Sequence, residues 1–404
     1  MNYKLRRNKL YDLLGDKGVL FLSSGFEVHR SADEAYPFSV NRNFYYLSGI
    51  NQKDSFLVVD LSTKKETLYI LDNDARLAKW IGNFLTHEEA SSISGVDNIE
   101  SSSSFDNIFE YVAKNDLIYL DEEKTDYLGG INYGAYFASK IREKNAKAVF
   151  ENVYEKIISL RAIKDEEEIA SIRKSIEVTR DALKAVMKKL PSLNNEREVH
   201  ALFEERIRSL GYATPSFDTI AGSGVNAAIL HYHDNKCDFV DEPMILLDLG
   251  ARVNMYNADI TRVYPTKGKF SPLQKTIYNI VLKANKAVEK EAKPGVSMAY
   301  LQELTIEVLA KSCLEEGLIS SLDEIGNYYF HRVSHHLGLD VHDPMGRNTV
   351  LEEGNVITNE PGLYFEHLNI GVRIEDDLLI TSDGCENLSK DIIKEIDEIE
   401  SYMK

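Results

Sequence analysis

The hydrophobic pattern changes character part-way along the chain. Near the start, short apolar runs rich in β-branched and aromatic residues recur between polar stretches: GVLFLSS (18–24), SFLVVDL (55–61), ETLYILD (66–72), DLIYLDE (116–122) and AKAVFENV (146–153). Runs of this length and composition predict strands. The segment 75–115 mixes helix-like sequence with a Ser-rich loop. Strands alternating with helices predict a small α/β domain here.

Near residue 155 the period lengthens. IKDEEEIASIRKSIEVTRDALKAVMKKLP (163–191) places Ile169, Ile172, Ile176, Leu183 and Val186 at helical spacing. Asp165 is a cap, acidic residues fill the first turn, Lys188 and Lys189 end the helix and Pro191 stops it. EREVHALFEERIRSLG (196–211) predicts a second helix closed by Gly211. Strand-like runs follow: FDTIAGSG (217–224), MILLDLGARVNMYNADITRVYP (244–265), NVITNEPGLYF (355–365) and IGVRIEDDLLIT (370–381), with helices between 272 and 318. Hairpins mixed with helices predict an α+β domain built on a curved antiparallel sheet. The length of 404 residues also favours two domains, and the boundary is set at 158/159.

Composition narrows the function classes. The chain is 43% hydrophobic and 28% charged, with a net charge of -18. Such acidity argues against nucleic-acid binding, which needs clustered Lys and Arg, and against an anionic membrane surface. The N-terminus is basic but has no apolar signal core, and the first apolar run, Gly18–Leu22, is too short to span a membrane. Cys237, Cys313 and Cys385 are odd in number and widely spaced, neither a disulfide framework nor a zinc knuckle. The expectation is a cytoplasmic protein.

The chemistry gathers late in the chain. HRVSHHLGLDVHD (331–343) carries four of the ten histidines. A polar surface loop and a metal or catalytic site both account for that. In MILLDLGARVNMYNADITRVYP, a hairpin turning about Val253 and Asn254 sets Asp248 directly opposite Asp259. Like charges so opposed destabilise a sheet unless a cation lies between them; solvated aspartates in an open loop are the alternative. Glu360 precedes the turn signal Pro361-Gly362. Glu375 interrupts an apolar run, where a buried carboxylate needs a partner: a metal, or Arg373 two residues back on the same face. His331 and His335 share a face if their segment is helical, but Arg332 stands where the zincin pattern requires Glu. One histidine with four carboxylates is an oxygen-rich, hard donor set that suits Mn²⁺ better than structural zinc, and four negative charges balance two divalent ions.

The phrases ILLDLG, YNADITR, SHHLGLDVHD, TNEPGLY and GVRIEDD, in that order, resemble the pita-bread (creatinase/aminopeptidase) metallopeptidases. AGSGVNAAILHYHDN (221–235) resembles the aminopeptidase P branch, which cleaves Xaa-Pro bonds. RSADEAYPFSVNRNFYYLSGI (30–50) and KWIGNF (79–84) resemble that branch's N-terminal domain. The resemblance implies two domains, 1–158 and 159–404. It implies five metal ligands, Asp248, Asp259, His335, Glu360 and Glu375, with Asp259 and Glu375 shared between two ions. It implies transition-state roles for His231 and His342, a proton-relay role for Glu360, a proline-pocket role for His331 and rim positions for Arg373 and Tyr364. Trp80 and Asp33 match positions that reach a neighbouring subunit's site. The expected activity is hydrolysis of the N-terminal Xaa-Pro bond of peptides, by hydroxide bridging two divalent ions, most suitably Mn²⁺, in a homodimer or homotetramer. Prolidase, which cuts Xaa-Pro dipeptides, is the nearest alternative. A creatinase-like hydrolase and a non-catalytic binding module are more distant ones, because both tend to lack part of the ligand set. Arg332 and Val333 stand where members of the family often have Gly and a small or apolar residue. His336 is expected to pack, and His233 to face solvent.

Overall fold

VLFLS at Val19–Ser23 is buried at all but its last position, as a strand covered on both faces must be. It lies inside a six-stranded mixed sheet, in the order Ile99–Ser101, Lys65–Ile70, Phe56–Asp60, Val19–Ser23, Leu117–Leu120, Val149–Asn152. Val19–Ser23 runs antiparallel to Phe56–Asp60 and parallel to Leu117–Leu120. On one face Phe21 stacks on Phe56 at 5.6 Å between ring centres and meets Phe109 and Phe137 edge-on at 6.1 and 5.1 Å. The helices Phe105–Val112 and Tyr133–Lys144 deliver the last two rings. The computed structural model describes residues 1–123, 133–211, 214–241, 243–345 and 349–404.

Two compact units are formed, Met1–Arg161 and Ala162–Lys404. The division falls at the end of the helix Tyr154–Ala162, three residues beyond the boundary set from sequence.

The second unit begins with the expected capped helix, Glu166–Lys189. Asp165 Oδ1 accepts from the Glu168 amide at 2.9 Å, and Glu168 Oε2 accepts from the Asp165 amide at 3.0 Å. The helices Glu196–Ser209, Pro272–Glu291 and Met298–Glu315 follow. Every described strand pair in this unit is antiparallel. Met244–Leu249 lies between Ile220–Ser223 and Ile260–Pro265.

The hairpin register differs from expectation. Val253 pairs with Tyr256 across a two-residue turn, Asn254-Met255, both with positive φ (50° and 69°). Two positive-φ residues make the tight reversal that matches strand twist, and this moves the turn one residue along. Asp248 therefore faces Thr261, not Asp259. The shift is two residues in register, so Asp248, Thr261 and Asp259 keep the same side of the sheet.

The two later runs are each broken in the middle. Val356–Asn359 pairs with Asp376–Ile380, and Gly362–Phe365 pairs with Ile370–Arg373. The HRVSHHLGLDVHD segment is not helical; its bridges run from His336 to Asp343 and to Ile357. His331 and His335 are thus brought together by an irregular path pinned to the strand Val356–Asn359, not by a helical turn.

Candidate metal centre

The break in the second hairpin holds its two acids. Asn359 faces Asp376 and Gly362 faces Arg373, so Glu360 and Glu375 occupy opposed positions between them. Neither amide bonds across the ladder. The Glu360 amide donates to Val333 O at 2.9 Å and the Glu375 amide to Thr261 O at 3.0 Å. The second bond ties this hairpin to the strand Ile260–Pro265, whose first residue follows Asp259. In the first hairpin, Gly250 allows the chains to approach: a Cβ there would overlap the Ala258 carbonyl.

His335 completes the cluster. Its amide donates to Thr358 Oγ1 at 3.1 Å, and its carbonyl accepts from the Thr358 amide at 2.9 Å. Its Nδ1 lies 2.9 Å from His336 O. A carbonyl only accepts, so Nδ1 carries the proton and Nε2 presents a lone pair. Nε2 lies 3.4 Å from Asp259 Oδ2 and 3.6 Å from Glu360 Oε1. Ligand atoms of Asp259, His335 and Glu375 all fall within 4.8 Å of one another.

The acids are in an environment that resists their charge. Burial, then the charges of Asp248, Asp377 and Glu360, pushes Asp259 well above the usual carboxylate range. Burial, then Asp259 and Glu360, does the same to Glu375, and burial raises Glu360. Arg373 offsets only part of this. It lines the cavity, is buried, and has Asp248 rather than Glu375 as its carboxylate partner: its Nη2 donates to Asp248 Oδ2 at 2.6 Å while Nε donates to Thr261 Oγ1 at 3.0 Å. Asp248 Oδ1 is buried with no hydrogen bond. Thr261 Oγ1 in turn donates to Glu375 Oε2 at 2.6 Å. Four carboxylates, an orphaned oxygen and a bare imidazole nitrogen fit divalent cations as their missing partners.

A cavity of about 380 Å³ opens over this cluster, with His231, His331, Arg332 and His342 also in its wall. His331 Nδ1 lies 2.8 Å from Arg332 O, so it is the protonated nitrogen, and Nε2 accepts from Tyr364 Oη at 2.8 Å. Tyr364 Oη accepts from Arg373 Nη1 at 3.0 Å. The polarity of this chain is fixed from Arg373 to Tyr364 to His331. Burial, then Arg373, lowers His331 to about 4. His342 meets the His335 ring edge-on at 4.3 Å; desolvation, then His335 and His231, lowers it to about 4 as well. Both imidazoles are neutral at neutral pH. His336 is buried, as expected, and His233 is exposed.

His231 is exposed on the loop after the turn Gly224–Ala228. That loop is anchored by Glu196, which sequence reasoning missed. Glu196 is fully buried. Its Oε1 accepts from the Ser223 amide and Oγ, both at 2.8 Å, and from Asn226 Nδ2 at 3.0 Å; its Oε2 accepts from Tyr232 Oη and the Cys237 amide, both at 2.9 Å. In sequence it reads as an ordinary acid in a helix's first turn. Thr261 was also missed, although its spacing from Asp259 placed it on the same side of a strand.

Trp80 and Asp33 belong to the first unit. Trp80 lies on the short helix Ala78–Ile81 and is 87% exposed, and Asp33 lines a cavity of that unit. Neither is among the residues that wall the metal centre's cavity.

Residues 170–382 match the sequence model of metallopeptidase family M24, and residues 3–119 match that of the aminopeptidase P N-terminal domain. The Xaa-Pro aminopeptidase of Escherichia coli K12 is 31% identical over 433 residues, covering 99% of this chain and 97% of that protein. A solved structure from Bacillus anthracis named for aminopeptidase P is 42% identical, with a TM-score of 0.94 and coverage of 100% and 97%. Aminopeptidase P from Escherichia coli, solved with the inhibitor Pro-Leu, is 30% identical with a TM-score of 0.91 over the same shares.

Proposed function

Because this chain belongs to metallopeptidase family M24 and carries an aminopeptidase P N-terminal domain, we propose that it is a metal-dependent Xaa-Pro aminopeptidase, releasing the first residue of peptides with proline second. The observation that carries this reading is the convergence of Asp248, Asp259, His335, Glu360 and Glu375 beneath one open cavity. Asp248 would hold one divalent ion, His335 and Glu360 the other, and Asp259 and Glu375 both. Such a pair, when bound, supplies Lewis acidity and a water acidic enough to lose its proton near neutral pH.

The chain's own residues do the rest. Glu360 sits 3.8 Å from His331 Nδ1, so it is placed to hold a proton beside a second polar hydrogen. His342, neutral, offers an N–H to charge developing on the scissile oxygen, and His231 approaches from the opposite loop. His331 has both nitrogens engaged, so it works as a fixed wall. An Xaa-Pro amide has no N–H, and a wall with no spare acceptor suits it.

The oxygen-rich donor set favours Mn²⁺ as the working metal. We place the enzyme in the cytoplasm; its three cysteines are free, and no helix among the described residues is long and apolar enough to cross a membrane. A homodimer or homotetramer would give the exposed Trp80, with Asp33, a neighbouring site to reach.

Product analysis by mass spectrometry tests the reading. With Mn²⁺, the protein should release the first residue from an Xaa-Pro-Yaa tripeptide, and a chelator should stop it. Cleavage of an Xaa-Pro dipeptide alone would make it a prolidase. Cleavage of neither, without stoichiometric Mn²⁺ binding, would make it a binding module.

A further inference from the structure

The metal centre's cavity contains two arginines with opposite circumstances. Arg373 is buried and spends its guanidinium on Asp248, Tyr364 and Thr261. Arg332 is exposed, and among the described residues no hydrogen bond or ion pair engages its guanidinium. Its backbone is nevertheless held on both sides. Gln302 Nε2 donates to His331 O at 3.0 Å, Gln302 Oε1 accepts from the Val333 amide at 2.7 Å, and Arg332 O accepts from His331 Nδ1. The root of the side chain is fixed while its charged end is available.

The position of that charge has a direction. In the reaction proposed above, the scissile carbonyl lies over the carboxylates and the proline lies against His331. The rest of the peptide has to leave along the cavity's open wall, where Arg332 is the exposed cation. A chain with a net charge of -18 repels acidic peptides at long range. A guanidinium at this exit reverses the preference locally and matches a carboxylate in shape.

We propose that Arg332 is a specificity residue that favours substrates with a carboxylate immediately beyond the proline. Two sources carry that group: an acidic side chain at the third position, and the C-terminal carboxylate of a tripeptide. The inference rests on the aminopeptidase reading. Because the pair is exposed, the preference should be several-fold and weakened by salt.

The test compares kcat/KM of the Mn²⁺-loaded full chain on two matched pairs, Ala-Pro-Glu-NH₂ against Ala-Pro-Gln-NH₂, and Ala-Pro-Ala against its amide. Wild type should prefer the carboxylate member of at least one pair by about fivefold. A preference in the first pair identifies the side chain as the source, and in the second the chain terminus. Arg332→Gln should bring the ratio close to one, Arg332→Lys should keep much of it, and Arg332→Glu should invert it. Equal rates in wild type, or a preference that survives in Arg332→Gln, would overturn the inference and leave the aminopeptidase intact. Failure to cleave any of the four peptides would overturn the parent reading, and this one with it.

Discussion

Glu360 and Glu375 face each other in an antiparallel ladder that makes no hydrogen bond of its own between them. Opposed like charges destabilise a sheet. Here the Glu375 amide is satisfied by the strand Ile260–Pro265 and the Glu360 amide by Val333 of the irregular segment, so the backbone tolerates the break. The side chains still repel, and that unfavourable term is what a bound cation removes.

Glu375→Ala should therefore abolish stoichiometric Mn²⁺ binding and peptide cleavage while the protein stays folded. Wild type should gain about 2.7 kcal/mol of stability at a hundredfold excess of metal over Kd; the variant should gain none. Metal-free, the two should differ little in melting temperature, because the lost carboxylate was an opposed charge. Calorimetric titration with thermal melts reads both, and full activity in the variant would sink the shared-ligand assignment.

Tyr364→Phe removes only the hydroxyl joining Arg373 to His331. The His331 ring keeps the tautomer set by Arg332 O but loses the donor that holds its Nε2, and with it a fixed orientation. The expected loss in kcat/KM on an Xaa-Pro tripeptide is about 10-fold to 100-fold, with Mn²⁺ stoichiometry unchanged. An unaltered rate would show that His331 needs no such support.

Glu196→Gln is nearly isosteric and should still be damaging. Both carboxylate oxygens accept from backbone amides, so a Gln NH₂ at either place meets an N–H donor. A cost of about 2–3 kcal/mol is expected from losing hydrogen bonds to a buried charge. The loop bearing His231 should loosen, so kcat should fall more than KM rises. Wild-type stability and kcat in this variant would remove Glu196 from the account.

In the first unit, Asp121 supplies a pH dependence. Burial raises it to about 6; Asn43 and Arg161 lower it and Glu123 raises it. Its Oδ2 accepts from Asn43 Nδ2 at 3.0 Å, while Oδ1 is buried with no hydrogen bond. A raised folded-state value means stability is fully present below the unfolded value near 4 and is lost as pH rises through about 6. The loss is at most about 3 kcal/mol. Asp121→Asn should remove it, melting higher than wild type above about pH 6 and no higher near pH 4. Parallel melting curves across that interval would disprove the assignment.

Much of the clustering was legible because the candidate positions carry local signals. Asp165 as a cap, Glu360 before Pro361-Gly362, and Glu375 within an apolar run each depend on near neighbours. The Asp248–Asp259 relationship survived a misplaced turn because a two-residue slip preserves the face of a strand. What sequence did not reveal was partnership across distance. Sequence offered Arg373 a carboxylate only in its neighbour Glu375, as the alternative to a metal there, yet its carboxylate partner is Asp248, on the strand that pairs with Thr261. Glu196 gave no sign at all, because a buried acid and a solvated one look alike at a helix's start.

The five candidate ligands also bear on how the protein folds. They span residues 248–375 and come from two hairpins and an irregular loop, so no two sequence neighbours form a nucleus that an ion could seize early. In a small zinc finger, metal and chain order together. Here most of the second unit must already be built before its donors meet. Ions should then act as a late latch: refolding rates should be indifferent to Mn²⁺, and nearly all of the metal's stabilisation should appear as slower unfolding.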